Sequence, residues 1–345
     1  MNYIIYHIFG KLQAIFKKNN NFLSKKLLFR RIVVMYKRRY RQNKEDKMLN
    51  WQEAKTIEFK DFDRLVSYFQ CLQTPSCEMS FANLKMWGEV YNTKMLKYGD
   101  EYLFFSSEDN LIYFPRWQNL SPAILVNIAE EFKNFYQLNQ VIYYDVDSKF
   151  IENNPDIVTY FEIEDDENDY DYLYQNQVLA NMSGAILKKK RNLINQFTHN
   201  YPNYFIEILD DYNAEKGNIF AHELNNLLSQ TEFVAEENQS MDYAFKNFKK
   251  LGLQGFILYA ELDLPVGFTV FSRLNNDFAD IHFEKARHDI KGAPQILVKL
   301  LAQKLVELEI AYMNREQDLG NDGIRQAKKS LAPCDFYKRK KLIMR

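Results

Sequence analysis

Two stretches gather groups that could do chemistry: DIHFEK at residues 280–285 and AYMNREQDLGNDGIRQAKKS at 311–330. The carboxylates of Glu284, Glu316 and Asp318 and the imidazole of His282 are candidate proton acceptors. The amide of Asn314 and the ammonium of Lys285 are candidate donors to a carbonyl or oxyanion. Arg315, Arg325 and Lys328, with Lys189, Lys190 and Arg191 of KKKRNLINQF (188–197), are candidate partners for phosphates. Strand alternation sends Asp280, His282 and Glu284 to one face and Ile281, Phe283 and Lys285 to the other, and sets Asn314 and Glu316 opposite Met313 and Arg315. Strands that end in so much charge are expected to end at a cleft. A structural reading competes with this one: Arg315 with Glu316 or Asp318, and Lys285 with Glu284, as ion pairs; Asp318 as the start of a helix; Lys189 and Lys190 as a solvated face; His282 as a core histidine.

The elements that must position these groups follow from apolar spacing. FKDFDRLVSYF (59–69) and FANLKMWGEVY (81–91) have helical spacing, YLFFSSEDNLIYFPRW is a hairpin, PAILVNIAEEFKNFYQL a helix and VIYYDV a strand. The same order returns later: the hairpin GFILYAELDLPVGFTVFSRL, the strand DIHFEK, the helix APQILVKLLAQKLVELEI and the strand AYMNRE. Internal duplication is the economical account. Between the halves lie the helix QVLANMSGAILKKKRNLINQF and the acidic run FEIEDDENDYDYLY. Glu162, Glu164, Asp165, Asp166, Glu167, Asp169 and Asp171 of that run are expected in a solvated loop between lobes.

Composition narrows the classes. The 345 residues allow two domains, and 27 Phe and 23 Tyr with 26% charged residues fit a compact globular body. Neither GxGxxG nor GxxxxGK[ST] occurs, which excludes nucleotide loops of those two kinds. Cys71, Cys77 and Cys334 lack CxxC or Cys/His ligand spacing, so neither a disulfide framework nor a zinc site is expected, and no metal is assigned. Residues 1–47 carry a net +11 in a chain whose total is −1, leaving −12 for the rest. This stretch reads either as a basic arm, disordered or ahead of a natural start at Met48, or as an amphipathic segment lying on anionic phospholipid. Its lysines interrupt any run of the ~20 apolar residues that a membrane-spanning helix needs.

Three separated motifs carry a resemblance. KKKRNLINQF (188–197), HFEKA (282–286) with Gly292 and Ala293, and NREQDLGNDGIRQAKKS (314–330), supported by SFANLKMW (80–87), together resemble the phosphatidylglycerol lysyltransferase C-terminal domain family over about residues 55–343. The resemblance implies an α/β (α+β) protein with a tandem GNAT-like (acyl-CoA N-acyltransferase) fold, each lobe a mixed, mostly antiparallel sheet flanked by helices. The expected division is a basic arm at 1–47, a first lobe at 48–172, a linking helix at 173–200 and a second lobe with the site at 201–345. In this fold two central strands of a lobe splay apart, so the ends of DIHFEK and AYMNRE are expected to be neighbours at the gap.

The activity implied is transfer of an aminoacyl group from aminoacyl-tRNA to a lipid or amine acceptor, with tRNA as partner and no DNA. The implied setting is cytoplasmic, or peripheral at the inner membrane face. At the site the chain departs from the lipid synthases: His282 and Lys285 stand where an acidic-x-x-Arg pattern is expected, and REQDLG replaces a Gly/Pro turn, so it looks like a soluble sub-branch. One alternative is an N-acetyltransferase using acetyl-CoA, against which RHDIKGAPQ (287–295) offers a reduced pyrophosphate loop with Pro294 removing a donor. The other is a non-catalytic module that binds nucleic acid or lipid.

Overall fold

Each half of the chain begins as an antiparallel meander and then crosses through a helix to a parallel strand. The computed structural model describes residues 49–226 and 231–345. The basic stretch at 1–47 lies outside the described residues. The first half runs β1 (Lys55–Thr56), α1 (Phe62–Leu72), α2 (Phe81–Met86), β2 (Lys94–Tyr98), β3 (Glu101–Ser106), β4 (Leu111–Tyr113), α3 (Pro122–Tyr136), β5 (Val141–Asp147), α4 (Ser148–Asn153) and β6 (Glu162–Glu164). The second runs β7 (Asp171–Gln175), α5 (Asn176–Asn181), α6 (Lys188–Asn200), β8 (Phe205–Ile208), α7 (Ala214–Asn225), α8 (Glu232–Lys246), β9 (Gln254–Glu261), β10 (Leu264–Arg273), β11 (Phe278–Ala286), α9 (Ala293–Glu307), β12 (Tyr312–Asn314), α10 (Asp322–Lys329), β13 (Asp335–Tyr337) and β14 (Arg339–Met344).

Local signals explain the crossover helices. Ser121 caps α3 by accepting from the Ile124 N–H, and Pro122 follows where a missing donor costs nothing. The helix buries Leu125, Ile128, Ala129 and Phe132 at helical spacing. In α9, Ile296, Leu297, Leu301 and Leu305 are buried in the same way.

Two seven-stranded sheets result, in the orders β1-β2-β3-β4-β5-β14-β6 and β13-β7-β12-β11-β10-β9-β8. The fold is the expected tandem GNAT-like α/β arrangement, and the repeat is visible in the pairing. β4 and β5 are parallel, β11 and β12 are parallel, and every other pair is antiparallel. The expected lobe boundaries do not hold, because the halves exchange strands. β7, which follows the first half in sequence, lies between β12 and β13 of the second sheet. β14, at the C-terminus, lies between β5 and β6 of the first. The expected linking helix is two helices, α5 and α6, separated by Met182–Leu187.

The acidic run is only partly the expected solvated loop: Glu162, Glu164, Asp165 and Glu167 are exposed, but the run contains a strand and ends in buried Asp171. Its β6 pairs with β14, where Lys341 bonds Glu164 and Asp169 at 2.8 Å, Lys340 bonds Asp165 at 2.6 Å and Arg345 bonds Glu162 at 2.9 Å. Opposite charges facing across neighbouring strands support that pairing.

One apolar core joins Leu65, Phe69 and Phe81 of the first half to Phe268, Val270 and Phe283 on one face of the second sheet. The other face packs Ile281, Leu258 and Met313 against α5, α6 and α9 through Leu179, Phe197 and Leu301. Ending the chain at Lys338 removes β14 and leaves β5 and β6 without their shared partner. We expect such a protein to lose its cooperative thermal transition or to be insoluble; a truncated chain melting within a few degrees of the full chain would show that β14 is dispensable.

Candidate functional site

β11 and β12 pair over three residues only, Phe278–Asp280 against Tyr312–Asn314, and then part. At the parting the alternation of β11 breaks: Phe283 pairs with Val270 and Ile281 with Phe271, so His282 is an extra, bulged residue. A bulge re-aims its side chain and shifts the phase of the strand. Ile281 and Glu284 therefore share a face, and the expectation that Asp280, His282 and Glu284 point the same way is corrected. Asp280 instead lies in a cross-strand row with Asn314 and Leu173.

Opposite the bulge, Glu316 has a left-handed backbone, φ 53°, a conformation that costs a non-glycine residue energy and recurs at functional sites. It places the carboxylate Oε1 3.7 Å from His282 Nδ1, while Asp280 Oδ2 lies 3.6 Å from the same nitrogen. Both Asp280 oxygens, His282 Nδ1 and Glu316 Oε1 are buried without a hydrogen-bond partner. His282 Nε2 is held by the Ser272 hydroxyl at 2.9 Å. Ser272 also lines a pocket of about 120 Å³ with Phe62, Phe81, Leu251 and Leu274. Burial, with Glu316 nearby, pushes the Asp280 carboxyl well above the usual carboxylate range.

A second pair flanks the parting strands. Arg315 bonds Glu284 Oε1 and stacks over the Tyr174 ring at 5.5 Å, while Arg315 Nη1 and Glu284 Oε2 stay buried and unpartnered. Burial opposes the charge on Arg315, but Glu284 and Tyr174 raise its pKa above the ordinary value. Half-buried Lys190, at the start of α6, is close enough that burial and then Arg315 lower its pKa.

Most of the other expected site residues are engaged within the protein. Asp318 accepts from Arg325 Nε at 2.9 Å and Nη2 at 2.7 Å, from the Tyr172 hydroxyl at 2.6 Å and from the Gly320 N–H at 2.9 Å. Burial alone would raise its pKa; these bonds hold it at about 2. Arg325 places Nε and Nη2 on the same carboxylate. Asn314 donates to Pro75 O and to Asp171 Oδ2, both at 2.7 Å, and accepts from the Glu316 N–H at 2.7 Å, so it has no donor left for an oxyanion. Lys285 bonds Glu237 of α8 at 2.8 Å. Arg191 donates to the Met182 and Gly184 carbonyls just beyond the end of α5, and Lys189 is exposed on α6. Lys328 donates to the carbonyls of Arg315, Glu316 and Gln317, pinning the loop that carries Glu316; burial and Arg315 lower its pKa to about 8.

Sequence reasoning missed the ion cluster beneath this mouth. Fully buried Arg339 opens β14 and bonds Asp171, the first residue of β7, together with Glu78 at 2.6 Å and Cys77 Sγ at 3.3 Å. Asp171 also accepts from Asn314 and Gln317, each at 2.7 Å. Arg116 joins the cluster through Asp145 Oδ2 and the Tyr337 hydroxyl, both at 2.7 Å. The complementary charge of FEIEDDENDYDYLY and YKRKKLIMR is the signal the sequence holds for it.

The loop before α9 does not form an open phosphate cradle. Gly292 has φ 90°, and the Leu193 carbonyl of α6 lies 2.3 Å from where a Cβ would stand, so α6 packs directly on the helix start. The Ala293 N–H bonds Ile290 O at 3.1 Å, Gln295 and Ile296 bond Gly292 O, and Pro294 has no N–H.

Comparison with known proteins agrees with the motifs. The family described as phosphatidylglycerol lysyltransferase, C-terminal, matches residues 69–339. A conserved protein of unknown function from Bacteroides thetaiotaomicron VPI-5482 is 27% identical, with TM-score 0.79, covering 86% of this chain and 100% of that one. The C-terminal domain of a putative lysylphosphatidylglycerol synthetase from Agrobacterium fabrum is 10% identical at TM-score 0.57, covering 83% and 92%. L-PGS from Bacillus licheniformis is 12% identical at TM-score 0.55, covering 81% and 90%. No curated protein matches the chain. Among the described residues no helix is long and apolar enough to cross a membrane.

Two outcomes test these assignments. The Asp318 pKa is about 2 in the fold against an ordinary 3.8, so its contribution to stability is complete above about pH 4 and is lost as the pH falls through 2. The difference in thermal midpoint between the wild type and Asp318→Asn should shrink over that window; a constant difference would place the depressed carboxylate elsewhere. Arg339→Met leaves Asp171 buried without its cation and should cost about 3–5 kcal/mol in urea unfolding. Adding Asp171→Asn should recover part of that loss, whereas additive losses would deny the coupling.

Proposed function

The chain belongs to the phosphatidylglycerol lysyltransferase C-terminal family, and from that membership we propose that it moves an aminoacyl group from an aminoacyl-tRNA to a lipid or amine acceptor where β11 and β12 part. The observation that carries this reading is the mouth itself: two strands separate after three residue pairs, and the side chains beside the gap keep unpartnered carboxylate and guanidinium atoms. Transfer needs the acceptor nitrogen or oxygen to attack the ester carbonyl, a group to take its proton, and the ribose oxygen to leave with a proton. Of the unpartnered carboxylate oxygens there, Glu284 Oε2 and Glu316 Oε1 serve as proton acceptor, since burial favours the protonated form of Asp280. Arg315 Nη1, with Lys190 nearby, is the cation available to an anionic part of the donor.

The start of α9 weighs against acetyl-CoA as donor, because the N–H groups of Ala293, Gln295 and Ile296 are already bonded and Pro294 has none. The purified chain, given radiolabelled aminoacyl-tRNA in one arm and radiolabelled acetyl-CoA in the other, with phospholipid vesicles and small amines as acceptors, should move label from the tRNA only. Glu284→Gln should slow transfer by roughly 10²–10⁴-fold with the fold intact by circular dichroism. Label moving from acetyl-CoA alone would overturn the donor assignment. No label from either donor, with tRNA still bound, would favour a binding module.

A further inference from the structure

The side chains at the mouth are arranged for more than proton transfer. One ligand atom each from Asp280, His282 and Glu316 lies within 4.8 Å of the others, and the separations from His282 Nδ1, 3.6 and 3.7 Å, are too long for hydrogen bonds. Leaving four such atoms buried and bare costs free energy, so the fold holds them apart for a partner that can reach all three. The cations nearby do not fill that role. Lys328 spends its ammonium on three backbone carbonyls, Arg339 bonds Asp171 and Glu78, and Arg325 bonds Asp318.

We propose that Asp280, His282 and Glu316 bind one divalent transition-metal ion of the zinc or manganese class. With metal–ligand bonds of about 2.0–2.2 Å, ligand atoms around such an ion lie about 3.3–3.6 Å apart, and the two separations from His282 Nδ1, 3.6 and 3.7 Å, are already close to that. Ser272 serves as the outer-shell partner that orients a metal-binding histidine: when Nε2–H donates to its hydroxyl, the Nδ1 lone pair points at the two carboxylates. One imidazole and two carboxylates, without thiolate, suit zinc, manganese or ferrous ion and not copper(I). The bulge at His282 and the left-handed Glu316 are what bring the three groups together. If the acyl-transfer reading also holds, the ion would polarise the scissile carbonyl, Glu316 would be committed to it, and Glu284 would remain as proton acceptor.

The test reads metal and not activity, so it stands apart from the donor assay. The full chain, stripped with chelator and dialysed, is titrated calorimetrically with Zn²⁺ and with Mn²⁺, and bound metal is counted by mass spectrometry. One ion per chain is expected for at least one of the two, with a raised thermal midpoint. Asp280→Asn and His282→Gln should each weaken binding roughly a hundredfold or more, and Ser272→Ala roughly ten- to a hundredfold. His222→Gln, which alters an exposed histidine paired with Asp242, should bind as the wild type does. Failure of the wild type to bind either ion, or equal binding by folded Asp280→Asn and wild type, would overturn the proposal. Should the ligand variants not fold, the Ser272→Ala titration decides alone: unchanged affinity overturns it.

Discussion

The pairing of Arg339 with Asp171 is the constraint on which the architecture turns. Each residue opens an exchanged strand, β14 in the first sheet and β7 in the second, so one ion pair joins the two ends of the interlock. Both side chains are fully buried, and water lost from two charges is costly unless every remaining donor and acceptor is met. Here Asp171 takes further bonds from Asn314 and Gln317, and Arg339 takes Glu78 and lies against the Tyr144 and Tyr337 rings, its Nε alone lacking a hydrogen bond, 3.8 Å from Asp145 Oδ1. Such a pair adds little stability over an apolar replacement, but it penalises any arrangement in which only one strand reaches its place. It acts as a lock on the exchange.

That lock also fixes the mouth above it. Asn314 ends β12 with its side chain spent on Asp171 and Pro75, so the strand stops where β11 continues. The chain beyond must turn, and Asn314 Oδ1 captures the Glu316 N–H while Lys328 gathers the carbonyls of residues 315–317. These bonds offset the left-handed backbone at Glu316. The polar residues around the mouth thus divide into those that build the loop and those the loop leaves bare. Asp318, Arg325, Asn314 and Lys328 belong to the first kind; both oxygens of Asp280 belong to the second, while Glu316, His282, Glu284 and Arg315 each keep one buried atom without a partner.

Much of the fold was legible because apolar periodicity is local. The hairpins, the two crossover helices and the strands of both parallel pairs stand where their spacing placed them, and the repeat of that order is the repeat of the topology. The exchange of β7 and β14 was not legible, since nothing in Asp171–Gln175 or Arg339–Met344 states which sheet each joins. At the site, sequence gave the neighbourhood and not the roles. Asp318 and Glu316 are both acidic residues of one short loop, and only the bonds from Arg325 and Tyr172 separate an anchor from a bare carboxylate. Strand alternation failed at His282 because one extra residue inverts the phase, and a bulge leaves no composition signature. Asp171 was lost in its acidic surroundings, its partner Arg339 standing 168 positions away.

The two halves share a mouth but not its condition. In the first, β4 and β5 pair over three residues and an acid, Asp145, again has a left-handed backbone, φ 65°. There Arg116 closes on it, donating to Asp145 O at 2.8 Å and Oδ2 at 2.7 Å and to the Tyr337 hydroxyl at 2.7 Å. In the second, the arginine beside the turn reaches away to Glu284, and Glu316 keeps an oxygen without a partner. A buried polar atom that its neighbours leave unbonded retains its interaction energy for whatever enters. The same topology therefore turns an arginine onto the acid in one half and onto Glu284 in the other, and leaves a buried carboxylate oxygen without a partner in both, Asp145 Oδ1 and Glu316 Oε1.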